Sequence, residues 1–228
     1  QDDNDRLGGI FGYIELAQLS LADPAALSSN LKQALAIINQ TRGLTLQLLT
    51  FAKGGGIKCK PQSLSPLLKQ ATSFALRGSN VSAEFSFPEN LWLCDLDETP
   101  MNQVIQNIVI NAKQAMPHGG TVFVSAQNKF LNQGEHPLLE EGKYVKIEIR
   151  DQGPGIPQDI LPRIFDPFFT TKPKGNGLGL SICYSILKKH GGNIDVESLP
   201  GKGSSFVLHL RASSASSPDR KRELLVVH

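Results

Sequence analysis

Cysteine is scarce in this 228-residue chain: Cys59, Cys94 and Cys183 are odd in number and widely spaced. That excludes a disulfide framework and a paired-cysteine zinc site, and it suits a reducing, cytoplasmic setting. No apolar run approaches the ~18–20 residues a membrane helix needs, and the polar start from Gln1 to Arg6 does not read as a signal peptide. The fragment is expected to make no membrane contact, which leaves an anchor elsewhere in a longer parent open. Charge of neither sign is in excess, since 23 Lys and Arg against 21 Asp and Glu leave +2. Nucleic acid is therefore not expected as a partner. What is present is ordinary for a folded protein: 40% apolar and 19% charged residues exclude wholesale disorder. The length allows one large domain or two modest ones.

From Leu7 to about Phe51 the chain reads as two helices. Leu7, Ile10, Phe11, Ile14, Ala17 and Leu21 recur at helical steps until Asp23-Pro24 stops the pattern. A second run starts near Ala25, carries Leu27, Leu31, Leu35, Ile38, Leu48 and Leu49, and ends in Gly54-Gly55-Gly56. The two make an antiparallel hairpin. Ile37, Leu44 and Leu46 widen its apolar sector beyond what one partner helix covers, so a four-helix dimer is expected; a hairpin packed only on its own C-terminal domain is the alternative.

After the glycines the pattern changes. Val81, Ala83, Phe85 and Phe87 alternate with Ser82, Glu84 and Ser86, as in a half-buried strand. Thr121–Ala126, Tyr144–Arg150, Asn193–Glu197 and Ser204–Leu210 read likewise, and helices fit Leu64–Leu76, Met101–Ala115 and Leu180–Lys189. Strands interrupted irregularly by helices predict an α+β fold, a mixed sheet covered on one face. The expected domains are 1–54, a helical hairpin; 55–212, an α/β sandwich; and 213–228, a Ser-rich then charged linker ending in the apolar burst Glu223–Val227.

Glycine-rich segments carry the strongest chemical signal. Asp151-Gln152-Gly153-Pro154-Gly155-Ile156 follows a strand, so a carboxylate stands at the strand's end while glycines turn the backbone beside a flat ligand. Such an Asp can accept a hydrogen bond from an exocyclic amine. Gly175-Asn176-Gly177-Leu178-Gly179-Leu180 opens into a helix whose free N–H groups and dipole suit a phosphate. It is not a Walker motif, because no Lys-Ser/Thr follows. Either set alone also fits an ordinary turn. Asn107 and Asn111 lie four apart and share a helix face, where carboxamide oxygens can hold a hydrated Mg²⁺; two solvated polar residues are the plainer alternative. Phe165-Asp166-Pro167-Phe168-Phe169-Thr170-Thr171-Lys172 reads as a lid anchor or as core plugs.

In order and spacing these segments resemble the boxes of sensor histidine kinases. Gln103–Ala115 is similar to the N box, Asp151–Ile156 to G1, Ile164–Lys172 to F, Gly175–Leu180 to G2, and Gly201-Lys202-Gly203-Ser204 to G3. Leu7–Ala52 resembles the dimerisation and phosphotransfer hairpin that precedes them. The resemblance implies a Bergerat-type ATP-binding fold with ATP and Mg²⁺ as cofactors, a homodimer formed through the hairpin, and a response-regulator receiver domain as partner. It implies Asn111 as the metal ligand and Asp151 as the adenine acceptor. Gly153, Gly155, Gly175, Gly177, Leu178, Gly179, Leu180 and Ser204 would line the nucleotide, under a lid between Ile156 and Gly179. Asn107, Asn111 and Lys172 would serve transfer, with Lys172 or Lys174 giving positive charge to the phosphates. Asn107 stands where gyrase-like relatives carry a water-activating glutamate, so little hydrolysis is expected.

The chain departs from the family at its acceptor. The phospho-accepting His position falls on Gln1, followed by Asp2 in the place of the acidic neighbour, and a glutamine amide cannot form the phosphoramidate. A degenerate kinase and a fragment altered inside its acceptor motif both fit. His118, His136, His190, His209 and His228 read as surface or structural residues. Glu223–Val227 resembles the first strand of a receiver domain, as in a hybrid kinase cut short; an unstructured tail is the alternative. The function implied is a histidine kinase core. Its rivals are a nucleotide-sensing pseudokinase and a gyrase- or chaperone-like ATPase.

Overall fold

The computed structural model describes residues 2–35, 37–38, 58–172 and 175–216, the first six by their backbone alone. Gln1, Leu44 to Phe51, Gly54 to Gly56, Lys174 and Glu223 to His228 lie outside the described residues. The chain divides into two units, Gln1–Gly55 and Gly56–His228.

In the first unit, helix α1 spans Asp2–Leu19. It begins five residues before the apolar periodicity does. Helix α2 covers 24–35. Its start follows from Asp23-Pro24: Asp23 Oδ1 accepts the N–H groups of Ala25 and Ala26 at 3.0 and 3.1 Å, and proline suits the first helical position. Small residues let the helices approach. Ala17 and Ala34 are buried, and a Cβ on Gly9 would stand 3.3 Å from Ile37 Cδ1. Phe11, Ile14, Leu16, Leu31, Leu35 and Ile38 stay exposed, so the single hairpin leaves much of its apolar sector uncovered.

The second unit is a five-stranded mixed sheet in the order β2-β4-β5-β7-β6, formed by β2 (Val81–Ser86), β4 (Gly120–Leu131), β5 (Gly142–Arg150), β6 (Asn193–Ser198) and β7 (Ser204–Arg211). Only β2 and β4 run parallel. β1 (Lys60–Gln62) and β3 (Cys94–Leu96) form a small antiparallel ribbon of their own, joined to the end of β7 by a bridge between Cys94 and Ala212. The cross-strand register puts Val124, Ile149, Phe206 and Val196 in one row and Ala126, Ile147, Leu208 and Ile194 in the next. Strand alternation sends both rows to the same face. Helices α3 (Leu64–Ala75), α4 (Glu98–Ala115) and α5 (Gly179–Lys189) supply the apolar layer: Leu64, Leu68, Met101, Ile105, Ile108, Ile182 and Leu187 are all buried. The fold is thus an α/β sandwich, as its strand grammar implies.

Local chemistry fixes the helix ends. Asp97 accepts the Thr99 N–H at 3.2 Å, which starts α4 three residues before the apolar stripe at Met101. Buried His190 closes α5, with Nδ1 bonded to the Ile186 carbonyl at 2.7 Å and Nε2 accepting the Asp97 N–H at 3.0 Å. That histidine is structural. Ser213 donates its N–H to the Leu93 carbonyl at 2.7 Å, so the segment after β7 stays attached to the unit. No described helix is long and apolar enough to cross a membrane.

Leu208 is fully buried between Ile147 and Ile194. Leu208→Ala is expected to lower stability by about 2–5 kcal/mol through lost transfer energy and a residual cavity. Urea unfolding followed by circular dichroism would show a midpoint shift at unchanged slope.

Candidate functional site

Asp151 ends β5 and is 4% exposed. Its backbone N–H donates to the Ser204 carbonyl at 2.9 Å, continuing the β5–β7 ladder by one step. Its Oδ1 accepts two backbone N–H bonds, from Gly153 at 2.8 Å and from Ser204 at 3.3 Å. No hydrogen bond among the described residues engages Oδ2. Burial raises the Asp151 pKa, opposed by those two N–H bonds and by the charge of Lys172. The carboxylate is thus held from behind with one acceptor oxygen left over.

Three loops are stapled around it. Gly203 has φ +84, and a Cβ there would run into the Asp151 carbonyl, so only glycine permits the approach. The Ser198 hydroxyl accepts the Ile156 N–H at 2.7 Å, donates to the Gly203 carbonyl at 2.9 Å and lies 3.1 Å from Ser204 Oγ. Gly201 donates to the Pro154 carbonyl at 2.7 Å. Ser204, which the sequence alone left in a separate segment, is thereby brought together with Asp151, Gly153 and Gly155.

The helices supply the other wall. Asn107 Nδ2 donates to the Gly179 carbonyl at 3.2 Å, tying α4 to the first residue of α5. One turn further along α4, Asn111 Oδ1 accepts Lys172 Nζ at 2.9 Å, and Gln114 Oε1 accepts the same ammonium at 2.6 Å. Burial lowers the Lys172 pKa, against the attraction of Asp151. Two carboxamide oxygens on one helix face therefore already hold a cation. At α5 the first residues have no side-chain cap, so the N–H groups of Gly179, Leu180 and Ser181 remain available to an anion. Gly175 donates to the Lys172 carbonyl at 3.0 Å. Gly177, at φ +66, lies where a Cβ would collide with the backbone of Phe168, which itself has a positive φ of 67. Phe168 and Gly177 thus lie close together, and the backbone of Phe168 is strained for a non-glycine.

Asp151, Gly153 and Ser204 come together on one side and Asn111 with Lys172, and Asn107 with Gly179, on the other; Lys174 lies outside the described residues. Asn107 bonds to α5 rather than presenting its amide to a ligand. The sequence reading missed Gln114, Ser198 and Gln152, whose Oε1 accepts the Thr121 N–H at 3.1 Å. Gln114 lies three residues past Asn111, on the same helical face, so its spacing was a signal. Nothing local marks Ser198.

The donor set fits a purine nucleotide and a hard divalent metal: a spare carboxylate oxygen for an exocyclic amine, free helix N–H groups for phosphate, and amide oxygens already around a positive charge. Residues 96–214 match the histidine kinase-, DNA gyrase B- and HSP90-like ATPase family. Sporulation kinase C of Bacillus subtilis is 38% identical over 174 residues, 74% of this chain and 38% of its own length. Sensor kinase CckA of Brucella abortus is 35% identical over 179 residues, 75% of this chain and 19% of its own. The chain thus spans about two fifths or less of these relatives. The solved catalytic domain of histidine kinase ThkA is 27% identical with a TM-score of 0.58, covering 71% of this chain and 100% of that one. ThkA in complex with response regulator protein TrrA is 23% identical with a TM-score of 0.70, over 92% and 58%. Fold, wall chemistry and kinship agree that the chain belongs to the histidine kinase-, DNA gyrase B- and HSP90-like ATPase family, as the Bergerat-type ATPase domain of a sensor histidine kinase.

Proposed function

We propose that the second unit binds ATP with Mg²⁺ and acts as the catalytic core of a two-component histidine kinase, passing the γ-phosphoryl group to a histidine. The observation that carries this reading is the Asp151 carboxylate, pinned through Oδ1 by two backbone N–H groups. Its remaining oxygen accepts the adenine amine, and Gly153 and Gly155 leave room for the base. Leu178, Gly179 and Leu180 lead the phosphates to the open end of α5, with Gly175 and Gly177 shaping the loop before it. Bound Mg²⁺ supplies charge neutralisation on the phosphates. Asn111 holds it, and since Lys172 now occupies the same oxygen, the lysine must swing away, which brings its charge toward the phosphates. Lys174 is the second candidate for that contact. Asn107 holds the helices in register, and its amide is too weak a base to activate water, so hydrolysis is slow.

The setting is cytoplasmic. The hairpin's exposed apolar residues support a homodimer. ThkA is seen with a response regulator, and a receiver domain is the matching partner here. A second reading, a nucleotide-binding module without transfer, is favoured by Gln1 in the place of the acceptor histidine.

Calorimetric titration with a non-hydrolysable ATP analogue is the direct test. In Asp151→Asn the amide keeps its oxygen toward the two N–H groups and turns its NH₂ toward the adenine amine, so affinity falls by about 1.5–3 kcal/mol, roughly ten- to a hundredfold. Asn111→Ala is expected to remove the Mg²⁺ dependence; unchanged binding in both variants refutes the site. Incubation with labelled ATP and a separate hairpin carrying the histidine separates the two readings: label on the hairpin supports the kinase, and nucleotide binding without label supports the module. Sedimentation should give the mass of two chains, and a monomer at all concentrations would exclude the hairpin dimer.

A further inference from the structure

The face of the sheet turned away from the helices carries a cluster that the ATPase chemistry does not use. Its rows are fixed by the same register: Asn193 pairs with His209, and Asp195 pairs with Val207. Alternation puts these residues opposite Ile194 and Leu208 and hence outside the apolar layer. The connection between β4 and β5 brings His136 over them. His136 Nε2 lies 3.1 Å from Asp195 Oδ2, and His209 Nδ1 lies 3.5 Å from the same oxygen. The two imidazole rings meet edge to face with centroids 5.3 Å apart. One ligand atom from each of the three residues falls within 4.8 Å of the others.

Two features set this cluster apart from an ordinary surface ion pair. His209 is nine-tenths buried, and its Nδ1, although aimed at Asp195, makes no hydrogen bond; Asn193, 1% exposed, has an Oδ1 that is likewise unpartnered. Among the described residues only one other buried side-chain atom, Thr72 Oγ1, shares that state. Buried polar atoms are normally satisfied, and two orphans at neighbouring positions call for a missing partner. That partner must accept lone pairs from imidazole nitrogen, carboxylate oxygen and amide oxygen together, which a cation does and a water does only in part.

We propose that His136 Nε2, His209 Nδ1 and Asp195 Oδ2 form a binding site for a borderline divalent transition-metal ion, Zn²⁺ in the first place. Metal–ligand bonds of ~2.0–2.1 Å at tetrahedral angles place neighbouring ligand atoms about 3.3 Å apart, close to the 3.1 and 3.5 Å separations of the two imidazole nitrogens from Asp195 Oδ2, while the nitrogens themselves lie within 4.8 Å of one another. Two imidazoles and one carboxylate select such an ion over Mg²⁺, which prefers oxygen ligands and keeps its waters. The fourth position falls to water or to Asn193 Oδ1. Asn193 Nδ2 donates to Asp195 Oδ1 at 2.9 Å, which orients the carboxylate and leaves Oδ2 for the metal.

The protons balance. His136 Nδ1 accepts the Leu138 N–H at 3.1 Å, so the neutral ring carries its proton on Nε2. The metal takes Nε2, the ring proton moves to Nδ1, and the Leu138 N–H, on a residue 60% exposed, turns to water. Asn193 Nδ2 donates to Asp195 Oδ1, which suits the ionised carboxylate that a metal ligand must be.

The test uses the full chain carrying Cys59→Ser, which removes the exposed thiol as a competing ligand, titrated with Zn²⁺ in the presence of excess Mg²⁺. One Zn²⁺ per chain is expected, with a rise in melting temperature. His136→Gln and Asp195→Asn should each weaken binding at least tenfold, on the order of what outer partners of a metal ligand already cost, and abolish the thermal shift. Both positions are partly solvent-exposed, and unaltered far-UV circular dichroism without zinc shows that the variants fold. No saturable binding, or the same affinity in parent and variants, overturns the site.

Discussion

The arrangement of the nucleotide side depends on one buried carboxylate held by backbone. Asp151 can point a single oxygen outward only because the other is bound by the N–H groups of Gly153 and Ser204. An ionised group this deep costs several kcal/mol unless its lone pairs are engaged. Main-chain donors, which cannot rotate away as side chains can, oppose that cost in part, and burial still raises the Asp151 pKa. That requirement propagates: Ser204 must sit against Asp151, Gly203 must be glycine to let it, and the Ser198 hydroxyl must bind both Ile156 and Gly203 to keep the loops together.

The opposite wall is less fixed. Asn111 and Gln114 are bonded to Lys172, a long exposed side chain on the segment before α5. On the proposed reading a metal ion at Asn111 displaces the Lys172 ammonium from that oxygen, so backbone bonds hold the Asp151 side in place while the Asn111 side depends on which cation is bound. Phe168 on that segment has a positive φ of 67 and lies against Gly177, a strained backbone for a non-glycine.

Much of this was legible in the sequence, for identifiable reasons. β2 reads correctly because Val81, Ala83 and Phe85 alternate with polar residues and only one face is buried. The glycine segments were legible because close backbone approach at positive φ demands glycine at fixed points, as at Gly155 and Gly203. The ribbon of β1 and β3 was not, since three residues are too few for a period. The start of α4 was missed because Asp97 acts through its cap bond and not through hydrophobicity. Ser198 could not be found at all: its role exists only once β6, β7 and the loop after β5 are side by side.

In β7 the alternation of buried and exposed residues breaks down. Leu208 and Leu210 face the helices, yet Val207 and His209 between them are buried as well, because the connection carrying His136 folds over the outer face. A strand covered on both sides should be apolar throughout. This one keeps His209, beside Asn193 and Asp195 on the next strand, at a place where a leucine would bury without penalty. Burying an imidazole and an amide with unpaired atoms costs stability; a bound cation, as proposed, would offset that cost, and the carboxylate that Asn193 Nδ2 orients beside them suits its charge.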